Sequence, residues 1–81
     1  MQQTPGRFLV LIESGGAAEA IMYTEERKRV AGFDASTEEV AVMTSGLSPD
    51  YGGAAAPEWD AALGGHSAEE RKAAVLYTLD V

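Results

Sequence analysis

Hydrophobic side chains along this chain come in short bursts whose spacing changes from one burst to the next. Phe8-Leu9-Val10-Leu11-Ile12 is an unbroken apolar run, closed by Glu13 and by the turn-forming Ser14-Gly15-Gly16. A short run of β-forming residues that stops at glycine predicts a strand over residues 8–13. Side chains alternate along a strand, so Phe8, Val10 and Ile12 take one face while Leu9 and Leu11 take the other. Both faces therefore need cover. The run predicts a central strand between two layers, or a strand whose second face packs on another subunit.

The next apolar segment, residues 18–24, supports two readings. As the return strand of a hairpin across Ser14-Gly15-Gly16-Ala17, it places Ile21 and Tyr23 on one face and Ala20 and Met22 on the other. As a helix, Ala17 to Arg29 is rich in helix formers and holds a Glu25–Arg29 pair at i,i+4. The β-prone stretch Ile21 to Thr24 and the short glycine loop favour the hairpin.

Period then switches to that of helices. Ser36-Thr37-Glu38-Glu39 is a capping box, followed by Val40, Met43 and Leu47 at helical spacing, with Gly46 placed to take a left-handed C-terminal conformation. Residues 47–56 read as a turn-rich loop. Pro57 opens a short helix carrying Trp59 and Leu63, which ends on Gly64-Gly65. Ser67-Ala68-Glu69-Glu70 is a second capping box, predicting a helix of about two turns. The closing segment Ala74 to Val81 returns to alternation and predicts a strand beside the first. The expected fold is α+β: a small, mostly antiparallel sheet, made of an N-terminal hairpin and a C-terminal strand, with two to three short helices packed largely on one face. With 81 residues the expectation is a single domain over 1–81, with residues 1–6 a flexible lead-in.

Charge narrows the classes of function. From Val30 through Glu70 the chain carries Asp34, Glu38, Glu39, Asp50, Glu58, Asp60, Glu69 and Glu70 without one Lys or Arg, and the net charge is −7. Arg7, Arg27-Lys28-Arg29 and Arg71-Lys72 hold all the basic groups. Direct nucleic-acid binding is disfavoured, because it depends on cations that displace phosphate counterions. A basic protein, or a basic patch of a larger assembly, is the expected partner. The candidate interaction surface comprises Asp34, Glu38, Glu39, Asp50, Glu58 and Asp60, with the aromatics Trp59 and Tyr51. Trp59 also has a competing role, since a small core needs its largest apolar residue.

Other chemistry is thinly represented. There is no Cys and one His, so thiolate and multi-histidine metal sites are excluded and no metal or cofactor is expected. His66 with Asp60 is the one pair that suggests acid–base work, and Ser67 after Gly65-His66 superficially resembles a hydrolase nucleophile elbow. The second glycine of that elbow is Glu69 here, so Ser67 is read as a helix cap. The oxygen-bearing run Asp34-Ala35-Ser36-Thr37-Glu38 fails as a calcium loop, having Glu39 where glycine is required and Ser45 where a bidentate Glu is required. Arg27-Lys28-Arg29 is expected to pair locally with Glu25 and Glu26 on a solvated face.

The apolar run at the N-terminus is too short for a signal peptide or a membrane span, so a cytoplasmic, non-membrane protein is expected. Its Ala and Gly richness suggests a bacterial or phage source. The leading expectation is a non-enzymatic interaction or regulatory module. The alternatives are a homo-oligomeric building block, such as a homodimer burying Leu9 and Leu11, and a small enzyme using Asp60 and His66.

Overall fold

A computed structural model of the chain describes residues 5–80. Strand β1 (Pro5–Ser14) turns sharply into β2 (Ala17–Thr24). The turn works because Gly15 and Gly16 both take positive φ, 63° and 84°, the handedness that matches the twist of the flanking strands. Ser14 then faces Ala17, and the register runs back to Arg7 opposite Thr24. The hairpin reading of residues 17–24 is therefore correct. It wins over the helix because pairing with an apolar neighbour outweighs the weak intrinsic preferences of Ala and Glu.

Helix α1 (Thr37–Met43) and helix α2 (Ala68–Ala73) both start at the expected capping boxes. The sheet is completed by β3 (Asp50–Tyr51) and β4 (Val75–Asp80), giving four antiparallel strands in the order β2-β1-β4-β3. Strand β1 is central, as its two apolar faces require. Two elements depart from expectation: residues 47–56 contain β3 and a 3-10 turn at Gly53–Ala55, and the helix expected after Pro57 shrinks to a 3-10 turn, Pro57–Trp59. Small residues and left-handed Gly52 keep this stretch tight enough to turn twice. The expected flexible lead-in of residues 1–6 falls for 1–4 outside the described residues, while Pro5 and Gly6 belong to β1.

The two sheet faces differ in cover. On the first, Phe8, Val10, Ile12, Ile21, Tyr23 and Leu76 meet Ala54, Trp59, Leu63 and Ala74, forming one continuous core beneath the 3-10 turns and α2. Trp59 meets Phe8 and Tyr23 edge to face, with centroids 5.2 Å away in each case, the arrangement aromatic quadrupoles prefer. On the second face Leu9 and Met22 are cross-strand partners and are buried, whereas Leu11, Val75, Tyr77 and Leu79 are half-buried. The start of α1 lies alongside this second face, where Ala35, Thr37 and Val40 share a groove with Leu11, Ala18 and Ala20. α1 itself buries no residue. A homodimer that buries Leu9 has no exposed Leu9 to use, since that side chain is 0% exposed within one chain.

Candidate functional site

The expected interaction surface divides when the chain folds. Asp34, Glu38 and Glu39 cluster around the start of α1 and are all exposed. Glu39 doubles as a cap: its carboxylate accepts from the Ser36 amide at 2.9 Å while its own amide donates to Ser36 Oγ at 3.1 Å. That backbone hydrogen bond, helped by the Ser36 side chain, holds the Glu39 carboxyl below its usual pKa. Val42, on the same helix, is 76% exposed and lies beside Glu38, Glu39 and Met43.

The remaining members follow a different logic. Trp59 is 2% exposed, which corrects its place in a surface set: its ring is enclosed by Phe8, Tyr23 and Arg27 and offers nothing to a partner. Tyr51 is 75% exposed on the short edge strand β3. Asp50 sits one residue earlier, with its carboxylate over Gly53, where any Cβ would collide with it.

Glu58 and Asp60 are each engaged by an arginine from outside the basic-free stretch. Arg27 Nη2 lies 3.4 Å from Glu58, and Arg71 Nη2 donates to Asp60 at 2.9 Å. The charge segregation along the sequence is thus partly undone in space.

Arg27 does not pair with its sequence neighbours. Arg27 holds positive φ, 64°, in a turn closed by Thr24 N–H to Lys28 C=O and Arg27 N–H to Thr24 C=O. Its guanidinium lies 5.0 Å from the Phe8 ring centre and 5.2 Å from that of Trp59, close enough for cation–π attraction. Arg29 pairs with Glu19 at 3.3 Å. Glu58 and Glu19, rather than the adjacent Glu25 and Glu26, are therefore the partners of this basic run.

Arg71 is the more consequential residue, and nothing in local spacing marks it. Its Nε donates to the Ala54 carbonyl at 2.9 Å and its Nη2 to the Ala56 carbonyl at 3.1 Å, alongside the bond to Asp60. One planar fork from α2 thereby fastens both 3-10 turns. The available signal was indirect: Gly52 to Ala56 has no side-chain donor of its own, so carbonyls turned inward there had to borrow one.

His66 and Asp60 are not arranged as an acid–base pair. Asp60 is occupied by Arg71, and His66 Nδ1 is buried without a hydrogen bond, 3.7 Å from Glu70 Oε1. Glu70 also caps α2 through the Ser67 amide at 2.9 Å. This hydrogen bond is the main cause of its lowered pKa; burial opposes the shift, and the Ser14 hydroxyl and His66 add to it. Ser67 Oγ accepts from the Glu70 amide, the capping role expected of it. Burial raises the Tyr23 pKa, with Arg29 partly opposing. Among the described residues no group of three or more His, Asp or Glu side chains could hold a metal ion, and no helix is long and apolar enough to cross a membrane.

No known protein family, curated protein or solved structure matches the chain.

Proposed function

We propose that this protein is a non-enzymatic interaction module that engages a basic partner through carboxylates around α1. The observation that carries the reading is electrostatic. Among the described residues, Asp34 and Glu38 have no cationic side chain within ion-pair distance, in contrast to Glu58 and Asp60. Both are exposed, and Glu38 lies beside Val42, a large apolar side chain left in solvent. Carboxylates flanking an exposed apolar group suit a segment that brings Lys or Arg together with apolar contact area. Glu58 and Asp60 serve the fold instead, so the interaction surface contracts to Asp34, Glu38 and Glu39, with Asp50 and Tyr51 as a separate patch.

The test is affinity capture with the whole chain at about 50 mM and about 500 mM salt, conditions that bracket the screening range. A partner held through these carboxylates is retained at low salt and released at high salt. The Asp34→Asn/Glu38→Gln double variant loses it while keeping the native circular dichroism spectrum. Retention indifferent to both changes refutes the reading. The alternative of a homo-oligomeric block cannot draw on Leu9, which is already enclosed, and rests on the half-buried Leu11, Val75, Tyr77 and Leu79 of the same face.

A further inference from the structure

The outer edge of β2 is only half used. Val30 N–H donates to the Met22 carbonyl at 2.9 Å, and Thr24 N–H donates to the Lys28 carbonyl at 2.8 Å, so residues 28–30 run back along the end of β2. Met22 and Thr24 therefore direct their backbone groups away from β1. Backbone direction alternates along a strand, so Ala20 and Ala18 also turn their N–H and C=O groups outward. Among the described residues no backbone partner meets them there. The chain itself leaves this edge just after Val30, where Gly32 takes φ 75°. It then passes to α1, opening a groove of about 200 Å³ lined by Leu11, Ala18, Ala20, Ala35, Thr37 and Val40.

The rim of the groove is acidic. Asp34 and Glu38 adjoin its lining residues Ala35 and Thr37, and Glu13 faces Ala18 across the hairpin. None of the three has an ion-pair partner among the described residues, whereas Glu19, which also lines the groove, is matched by Arg29. A strand edge with unpaired backbone groups is a template for another strand. Here the floor beside it is built of small apolar side chains and the margin is anionic.

We infer that the Ala18–Ala20 edge of β2 receives an extended segment of a partner protein, in which apolar side chains alternate with Lys or Arg. Backbone hydrogen bonds to Ala18 and Ala20 add the segment to the sheet. Its apolar side chains enter the groove against Leu11 and Val40, while its cations project from the opposite face, on the side of Glu19, and are drawn in through the field of the unpaired Glu13, Asp34 and Glu38 rather than by direct contact. This inference rests on the basic-partner reading and adds to it a location and a binding mode.

The experiment is amide hydrogen exchange, read by NMR on the whole chain, with three blocked peptides as probes: KVKVKVK, its acidic counterpart EVEVEVE, and the block-ordered KKVVVKK. KVKVKVK slows exchange at Ala18 and Ala20 at least about tenfold, as expected for newly bonded amides, and the other two do not. Ala20→Pro removes an outward N–H without touching a bond to β1, a substitution edge strands accept. It weakens KVKVKVK roughly fivefold, the loss of one backbone hydrogen bond. Binding of KVKVKVK with unchanged exchange at both alanines overturns the groove while the basic-partner reading survives. Equal protection by EVEVEVE overturns the basic occupant and that reading together. Binding by neither peptide overturns both proposals. Protection of Ala18 and Ala20 that grows with protein concentration alone assigns the edge to a second copy of the chain and overturns the partner segment.

Discussion

α1 and α2 begin with the same device and end in different circumstances. Each has a serine cap, a glutamate three residues later and reciprocal hydrogen bonds of 2.9 and 3.1 Å. Neither buries a residue within its own span. Yet α2 is joined to the core by Arg71, which reaches two carbonyls and a carboxylate, while at the equivalent position α1 has Val40, half-buried at the margin of a groove. The comparison teaches that a capping box decides where a helix starts and says nothing of how firmly it is held. Firmness here comes from one long side chain that crosses between elements.

Exchanging the anchors gives the largest expected effect. Arg71→Ala leaves the Ala54 and Ala56 carbonyls without their donor and is expected to cost about 2–4 kcal/mol, nearly all from those two bonds, because Asp60 is exposed and its pair adds little. Val40→Ala, removing two methyl groups from a half-buried site, is expected to cost about 0.5–1 kcal/mol. Urea unfolding followed by circular dichroism measures both. Equal losses would mean that the two helices are held alike.

Removing the caps sharpens the comparison at smaller scale. Ser67→Ala is expected to lower global stability by about 1 kcal/mol. Ser36→Ala removes the same hydrogen bond, but α1 can open without exposing the core. Its effect should appear as faster amide exchange confined to residues 37–43, with a smaller shift of the urea midpoint.

Acid supplies the most graded probe. Glu39 and Glu70 have folded-state pKa values lowered from 4.5, chiefly by the backbone hydrogen bonds each accepts. A depressed carboxyl contributes stability that is complete above its unfolded pKa and is lost as pH falls through the lowered folded value. The urea midpoint should therefore decline below about pH 4.5. Glu70→Gln should flatten that decline more than Glu39→Gln, because α2 shares the fate of the core. A midpoint insensitive to Glu70→Gln would separate the cap from stability.

These differences mark what the sequence could reveal. The strand at Phe8–Ile12, the glycine turn and both capping boxes were legible because each is a local pattern whose cause lies within a few residues. β3 was not, because a two-residue strand has no period and exists only by pairing with Leu76 and Val75. The ion pairs were hidden for a related reason. Arg27 meets Glu58, and Arg71 meets Asp60, across separations of 31 and 11 residues, and charge counted along the chain predicts local neighbours instead. The candidate surface is acidic in composition, but its division into unpaired carboxylates at α1 and paired ones near Trp59 required the fold. Trp59 carried both readings in the sequence, and packing against Phe8 and Tyr23 decides for the core.

The enclosure of Trp59 has a practical corollary. The protein holds one indole, and it is seated between two aromatic rings and a guanidinium on the face fastened by Arg71. Its fluorescence is consequently a built-in reporter for that half of the molecule alone. Loosening of α1 on the far side would leave that emission unchanged.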